Sequence, residues 1–521
     1  MARKGSVKVR TGCITCRIRK IKCDEAKPHC DRCTRTGRKC DGYKDAETSS
    51  ITHQPRRLFP ACTQPSEARA LHFFRARVAA GLSGPYDSYF WTDLVLQLSN
   101  SEPIVRHALV AISSLYENLS CRDNDLGKLK SNEFALAHYN TAVRSLREVR
   151  HEPLVLLACL LFICIEVVQE NRAQAVIHCQ HGVAILESIR STALWSQSYL
   201  APIFRRLSTM PIFFGGIGTP RLIPPQFVPS GFASFEEANY FIEDAVGRTM
   251  DLSRYGDSYR YGASYGQEVS PGLVKMQAEL LQSIGRLRPA LSKFKRQIIA
   301  HQRPLSEEEE VWLLLFNVRI EICHIWTSGT LDPSEEVYDR LLNNFRHLTQ
   351  LCKNLSQKLQ PRIDTLGPEF RLEIGYLVLV HLVGTKCRDL RLRLEGLQLV
   401  KTYGAVREAF WDAQKMYKCD RRIIEIEHNL TLDEFDQPVG DFSWDDIPPD
   451  SLRVRDTTFD QNLVICGEVG GKPVTGHPLA FIKRDAEGNL FRQCELVYVD
   501  AVSQEKPPVT IAGKNAIQLT A

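Results

Sequence analysis

Six cysteines near the N-terminus, Cys13, Cys16, Cys23, Cys30, Cys33 and Cys40, are spaced so that the first three, shifted by seventeen residues, land on the last three. Thiolates in that number and symmetry form a metal-binding set, because zinc favours four ligands in a tetrahedron with Zn–S near about 2.3 Å. Two separate four-coordinate ions would need more sulfurs than the six present, so two cysteines must be shared. If the site keeps the twofold symmetry of the sequence, the shared pair occupies equivalent positions: Cys13 with Cys30, Cys16 with Cys33, or Cys23 with Cys40. Spacing does not choose among them.

Between Cys16 and Cys23 lies Arg17-Ile18-Arg19-Lys20-Ile21-Lys22, four cations in six residues with a candidate metal ligand at each end. A short turn anchored in this way can deliver fixed side chains to the edge of a nucleic-acid groove. Arg or Lys donating to guanine O6 and N7 is the commonest specific contact in the major groove of double-stranded DNA. Flanking cations would neutralise phosphates and make affinity fall with salt. The candidate DNA-binding residues are therefore Arg10, Arg17, Arg19, Lys20 and Lys22. The plainer explanation of the same stretch is a nuclear-import signal or a solvated face.

These residues resemble the fungal zinc binuclear cluster (Zn2Cys6) transcription factors, down to Asp24 after the third cysteine and Lys27-Pro28 before the fourth. The resemblance implies two Zn2+ ions bridged by Cys13 and Cys30, with Cys16 and Cys23 completing one site and Cys33 and Cys40 the other. It also implies that the end of the first short helix enters the major groove at a CGG-type triplet, where the matching residues are Arg19 and Lys20. Pro28 falls at the family's loop proline, a place for a cis bond. By the same resemblance the protein is nuclear and works with the RNA polymerase II transcription machinery.

Charge supports a division of labour. Residues 1–44 hold fourteen Lys or Arg against four acids, a net +10, so the whole-chain value of +5 leaves −5 for the remainder. A basic head on a mildly acidic body suits a nucleic-acid binder with a separate regulatory part. Four cations among the first ten residues argue against a secretory signal. The most apolar run, 153–168, contains Glu166 and is shorter than the roughly twenty residues of a membrane span, so it reads as a buried helix and no membrane partner is expected. Eleven further cysteines are scattered singly, several within apolar stretches, as reduced core residues would be.

The expected architecture is mainly α. It comprises a DNA-binding module over 1–44, a flexible linker over 45–67, an irregular α-helical regulatory domain over 68–430, and a C-terminal region over 431–521. Start signals place helices after Ser101-Glu-Pro, after Ser306 with its four glutamates, and after Asp332-Pro-Ser-Glu. Others are expected at 271–286 and 289–300, separated at Pro289, and at 369–385 and 405–428. The last region carries an acidic-aromatic stretch, 433–450, read as a loop over the core rather than an activation segment, and a β-hairpin over Leu479–Val499 turning at Asp485–Asn489. No heptad pattern follows the cysteines, so binding as a monomer and pairing as a homodimer through the helical body both stay open.

The body more loosely resembles the fungal-specific regulatory domain of the sterol-uptake-control branch, through Phe73-Phe74 to Trp91, His178 to Leu186, and Trp411-Asp-Ala with Arg422-Ile-Ile-Glu. That resemblance implies a helical sensor with a pocket for a lipid or other apolar small-molecule effector; the residues themselves read as an ordinary packed core. His178, Cys179 and His181 read as packing rather than a metal site, and Phe214 to Pro220 as a turn. No metalloprotease, hydrolase, phosphate-loop or deaminase motif is present, so the chain is not expected to be an enzyme. The two alternatives to a sequence-specific transcription factor are a zinc protein that binds nucleic acid without preference and a DNA-targeted enzyme.

Overall fold

The computed structural model describes residues 11–43, 64–83, 89–120, 132–188, 195–208, 227–300, 304–366, 370–372, 375–403, 407–459, 464–469, 472–498 and 510–511. Arg10, nearly all of the expected linker and the 214–220 turn lie outside them. The chain divides into two compact units, Met1–Pro60 and Ala61–Ala521.

Among its described residues the first unit has almost no hydrocarbon core. Its buried apolar set is five of the cysteines, with Cys23 and Tyr43 packed against them. Two five-residue helices, Ile14–Ile18 and Asp31–Arg35, bracket that cluster. A unit this small cannot sustain a fold on apolar burial alone.

The second unit is layered helix on helix. Glu152–Val168 is buried almost all round and packs against Pro103–Ser120 and Arg172–Ser188. Phe235–Arg260, Pro271–Ala300 and Glu307–Gly329 enclose a second core around Phe241, Leu287 and Phe316. Glu307–Gly329 also faces Leu342–Leu366 and, beyond it, Tyr376–Lys386, giving a third core around Phe345, Tyr376 and Val380. Glu307–Gly329 opens with a capping box in which the Ser306 side chain accepts from Glu309 N–H and Glu309 accepts from Ser306 N–H. The acidic run there has the structural role its position suggests.

Three local expectations need correction. Pro271–Ala300 is one helix with Pro289 inside it, because residues on both sides of the proline, from Leu280 to Phe294, are anchored in the same core. Residues 369–385 and 405–428 do not start as helices: Phe370–Arg371, Arg407–Glu408 and Trp411–Asp412 pair into a small three-stranded sheet first. That sheet brings the buried Glu408 carboxylate to the N-terminus of Tyr376–Lys386, where it accepts from the N–H groups of Gly375, Tyr376 and Leu377 at 2.8–3.0 Å.

The C-terminal hairpin is present as Lys472–Arg484 against Leu490–Tyr498, inside a five-stranded sheet of order Thr510–Ile511, Leu490–Tyr498, Lys472–Arg484, Asp456–Phe459, with Val464–Val469 also paired to Lys472–Arg484. The acidic-aromatic stretch lies on the helices. Asp436 is buried and accepts from Gln398, Lys401, Tyr417 and Arg421, and Trp444 sits under the Arg391 guanidinium at 5.2 Å.

Candidate metal centre and nucleic-acid interface

Each short helix of the first unit starts from a cysteine that caps it. Cys13 Sγ accepts from Cys16 N–H and Cys30 Sγ from Cys33 N–H, both at 3.4 Å. The repeat continues with Cys13 N–H donating to Cys23 Sγ and Cys30 N–H to Cys40 Sγ, again both at 3.4 Å. Cys13 Sγ and Cys30 Sγ are 3.5 Å apart at the centre. The sulfurs fall into two tetrads, Cys13-Cys16-Cys23-Cys30 and Cys13-Cys30-Cys33-Cys40, each within 4.8 Å and each containing that central pair. Of the three pairings open by symmetry, this geometry favours Cys13 with Cys30.

The donor set fits a pair of thiophilic dications. Burial pushes the Cys13 thiol up to about 12 and raises Cys16 and Cys30, so these sulfurs resist becoming thiolates unless a cation compensates them. Cys40 is drawn down to about 6, chiefly by the Cys30 N–H. N–H groups aimed at sulfur also offset the negative charge that a thiolate cluster keeps around two zinc ions.

Polar clasps fix the two halves. Asp24 accepts from the N–H groups of Ala26, Asp31 and Arg32, which holds its carboxyl below the usual range and caps the second helix. Thr15 Oγ1 donates to Asp41 and accepts from its N–H, and Ile14 N–H donates to Gly42 O. Tyr43 donates to Ala26 O at 2.8 Å. The Lys27–Pro28 bond is cis.

The first helix ends at Arg19, and Lys20 follows in the left-handed region at φ 54°. Lys20 N–H bonds to Arg17 O and Ile21 N–H to Cys16 O, the paired closure of a Schellman turn. The second helix closes identically, with Gly37 at φ 66° bonding to Thr34 O and Arg38 to Cys33 O. Arg17, Lys20 and Lys22 are exposed together with Ile18 at 75%, whereas Arg19 is half-buried and its Nη1 has no hydrogen-bond partner. Four of the five candidate DNA contacts are thus gathered on one short segment, with Arg10 outside the described residues.

Residues 11–50 match the family model of the fungal Zn(2)-Cys(6) binuclear cluster domain. The chain carries a Zn2Cys6 domain. Domains of this family bind two zinc ions, in agreement with the paired sulfur tetrads. Residues 69–250 match the fungal specific transcription factor domain. The chain is similar to the aspercryptin biosynthesis cluster-specific transcription regulator of Emericella nidulans, at 28% identity over 66% of this chain and 59% of the relative. It is also similar to a Zn(2)-C6 fungal-type transcription factor of Aspergillus fumigatus, at 34% over 27% of this chain and 40% of the relative. White-opaque regulator 2 of Candida albicans is 58% identical over 7% of this chain and 8% of its own length. The chain therefore spans 59% or less of each of these relatives. No solved structure matches. Both domain families are those of transcription factors, not of enzymes.

Among the described residues no helix is long and apolar enough to cross a membrane. His178 packs edge-on against Phe162 and lies 3.5 Å from the Tyr139 hydroxyl, as a packing residue would. Sequence spacing gave no hint of another convergence, Glu67, His107 and His138, because three separate helices supply it. There His107 Nδ1 and His138 Nδ1 share a 2.8 Å hydrogen bond, and burial lowers the pKa of both imidazoles.

Proposed function

We propose that the protein is a nuclear, zinc-dependent transcription factor that binds double-stranded DNA sequence-specifically, at CGG-type triplets, and regulates RNA polymerase II transcription. Cys13 and Cys30 bridge two zinc ions, Cys16 and Cys23 complete one, and Cys33 and Cys40 the other. Arg19 and Lys20 address the bases, while Arg10, Arg17 and Lys22 contact phosphates.

The observation that carries this reading is the residue at the left-handed helix closure. Glycine adopts that conformation without strain, and the second half of the module uses Gly37 there. The first half places an exposed lysine in the same conformation, at the tip of a metal-anchored turn flanked by Arg17 and Lys22. Backbone strain retained at a point that projects a cation is a mark of function. Zinc supplies the cross-links that hold this turn. The protein's own residues do the reading.

The test is binding of the full chain to duplexes with an intact or permuted CGG triplet, across a range of salt concentrations. The reading requires a preference for the intact triplet of about 1–3 kcal/mol per base contact, lost together with zinc on chelation. Equal affinity for both duplexes would leave only a non-specific nucleic-acid binder.

A further inference from the structure

The helical unit contains a cavity of about 510 Å³. Residues of three helices line it at helical spacing: Met250, Ser253, Asp257 and Arg260 of Phe235–Arg260, Val378, Leu382 and Lys386 of Tyr376–Lys386, and Met416 and Ile423 of Ala413–His428. From Val378 to Lys386 the lined face runs about 12 Å along its helix. Arg455 and Asp456 close the wall where the charged ends of the first two helices lie. A volume of this size suits a small organic ligand.

The lining combines two kinds of chemistry. Val378, Leu382, Phe410, Met416 and Trp326 supply apolar and aromatic surface. Arg260, Lys386 and Arg455 supply cations, with Arg260 5% exposed and Arg455 2%. Arg455 pairs with Asp450 and donates from Nη1 to Ser334 O at 2.7 Å, whereas the buried Glu335 takes Lys386 and also Arg388 at 2.8 Å, and lies 3.8 Å from Arg260 Nη1. Three cations share that carboxylate. Arg260 Nη2 is paired with Asp257, but its Nε and Nη1 donate no hydrogen bond, and Arg455 Nε donates none. Asp456, the other acid on this wall, has its carboxyl raised by burial and by Asp257, which weakens it as a counter-ion. Buried guanidinium N–H groups without acceptors are costly, and their fork matches a carboxylate.

We propose that this cavity is a binding site for an amphipathic organic carboxylate, its acid group on Arg260 and Arg455 and its apolar body against Leu382, Phe410 and Met416. The inference concerns the helical unit alone and does not depend on how the Zn2Cys6 module meets DNA. It replaces the apolar effector implied by resemblance with a ligand that is apolar at one end and anionic at the other.

The experiment is calorimetric titration of the full zinc-loaded chain with hexanoate, decanoate, phenylacetate and naphthoate, each compared with its neutral primary amide. At least one acid should bind saturably, at one site per chain, and about tenfold or more tighter than its amide. Arg260→Met should remove that preference. Met250→Trp, which fills the cavity and leaves the cations in place, should abolish binding of acid and amide alike, so the proposal remains testable if Arg260→Met fails to fold. Acids and amides binding equally, no acid binding at all, or undiminished binding to Met250→Trp would each overturn the proposal. Loss of sequence-specific DNA binding with acid binding intact would reject only the proposed function.

Discussion

Lys20 and Gly37, seventeen residues apart, occupy the same left-handed position after the two helices of the Zn2Cys6 module, at φ 54° and 66°. Both N–H groups close their helix onto a carbonyl three residues back, and the next residue reaches back five. One half of the module has the residue best suited to the turn, and the other a side chain suited to DNA. Lys20→Gly should therefore stabilise the zinc-loaded module by about 1 kcal/mol while relaxing base preference. Gly37→Lys should cost a similar amount and leave base preference intact. Melting of the zinc-loaded protein, alongside binding to matched and permuted duplexes, checks both. A Lys20→Gly variant with unchanged base preference would reduce Lys20 to a phosphate contact or less.

Cys30 sits in both sulfur tetrads, whereas Cys33 sits in one. Cys30→Ala should accordingly leave neither zinc site complete and unfold the module, because its described residues form no other core. Native mass spectrometry should find fewer than two zinc ions per chain, and DNA binding should be lost. Two ions retained with wild-type DNA affinity would contradict the bridging assignment.

His428 is half-buried with its Nε2 out of contact with water and lacking a hydrogen-bond partner, and burial, reinforced by Arg393 and Arg388, lowers it from 6.5 to about 3. Above pH 6.5 the ring is neutral both folded and unfolded and costs nothing. As pH falls below that value the unfolded chain takes up a proton that the folded chain refuses, so stability declines until about pH 3. Denaturant unfolding of the helical signal should show His428→Gln losing less stability than wild type over this range, by up to about 5 kcal/mol. Parallel pH profiles would show that His428 already has a counterpart for its charge.

Gly256 of Phe235–Arg260 lies directly against Thr330, the residue that caps Glu307–Gly329. A Cβ there would meet Thr330 O at 2.2 Å, with the Thr330 side chain at 2.6 Å. Gly256→Ala should destabilise the helical unit by about 1–3 kcal/mol, read as a lower denaturant midpoint with an unchanged slope. Zinc content should stay at two ions per chain, because the cysteines belong to the other unit.

The cysteine module was largely legible in the sequence because its chemistry is local. Six ligands, their seventeen-residue repeat and the cations between Cys16 and Cys23 all lie within a short span. The shared pair was not legible from spacing, since symmetry permits three choices; the two sulfur tetrads that both contain Cys13 and Cys30 favour one of them. Helices with strong start signals, such as Glu307–Gly329, were readable, whereas Pro289 looked like a break because its anchoring in the core comes from distant helices. The small sheet at Phe370, Arg407 and Trp411 was hidden for the same reason: two-residue strands carry no periodicity and depend on partners far along the chain. The cavity residues, drawn from positions between 170 and 458, are brought together only by the packing of segments far apart in the chain.

The measurement that bears most directly on the central claim is binding selection from a pool of random duplexes, run in parallel with the wild-type chain and Lys20→Gly. The account predicts enrichment of CGG-type triplets by the wild type, and weaker or broader enrichment by a variant that still holds two zinc ions. A wild-type chain that holds two zinc ions but enriches no sequence, or a variant that enriches the same triplets equally well, would contradict it.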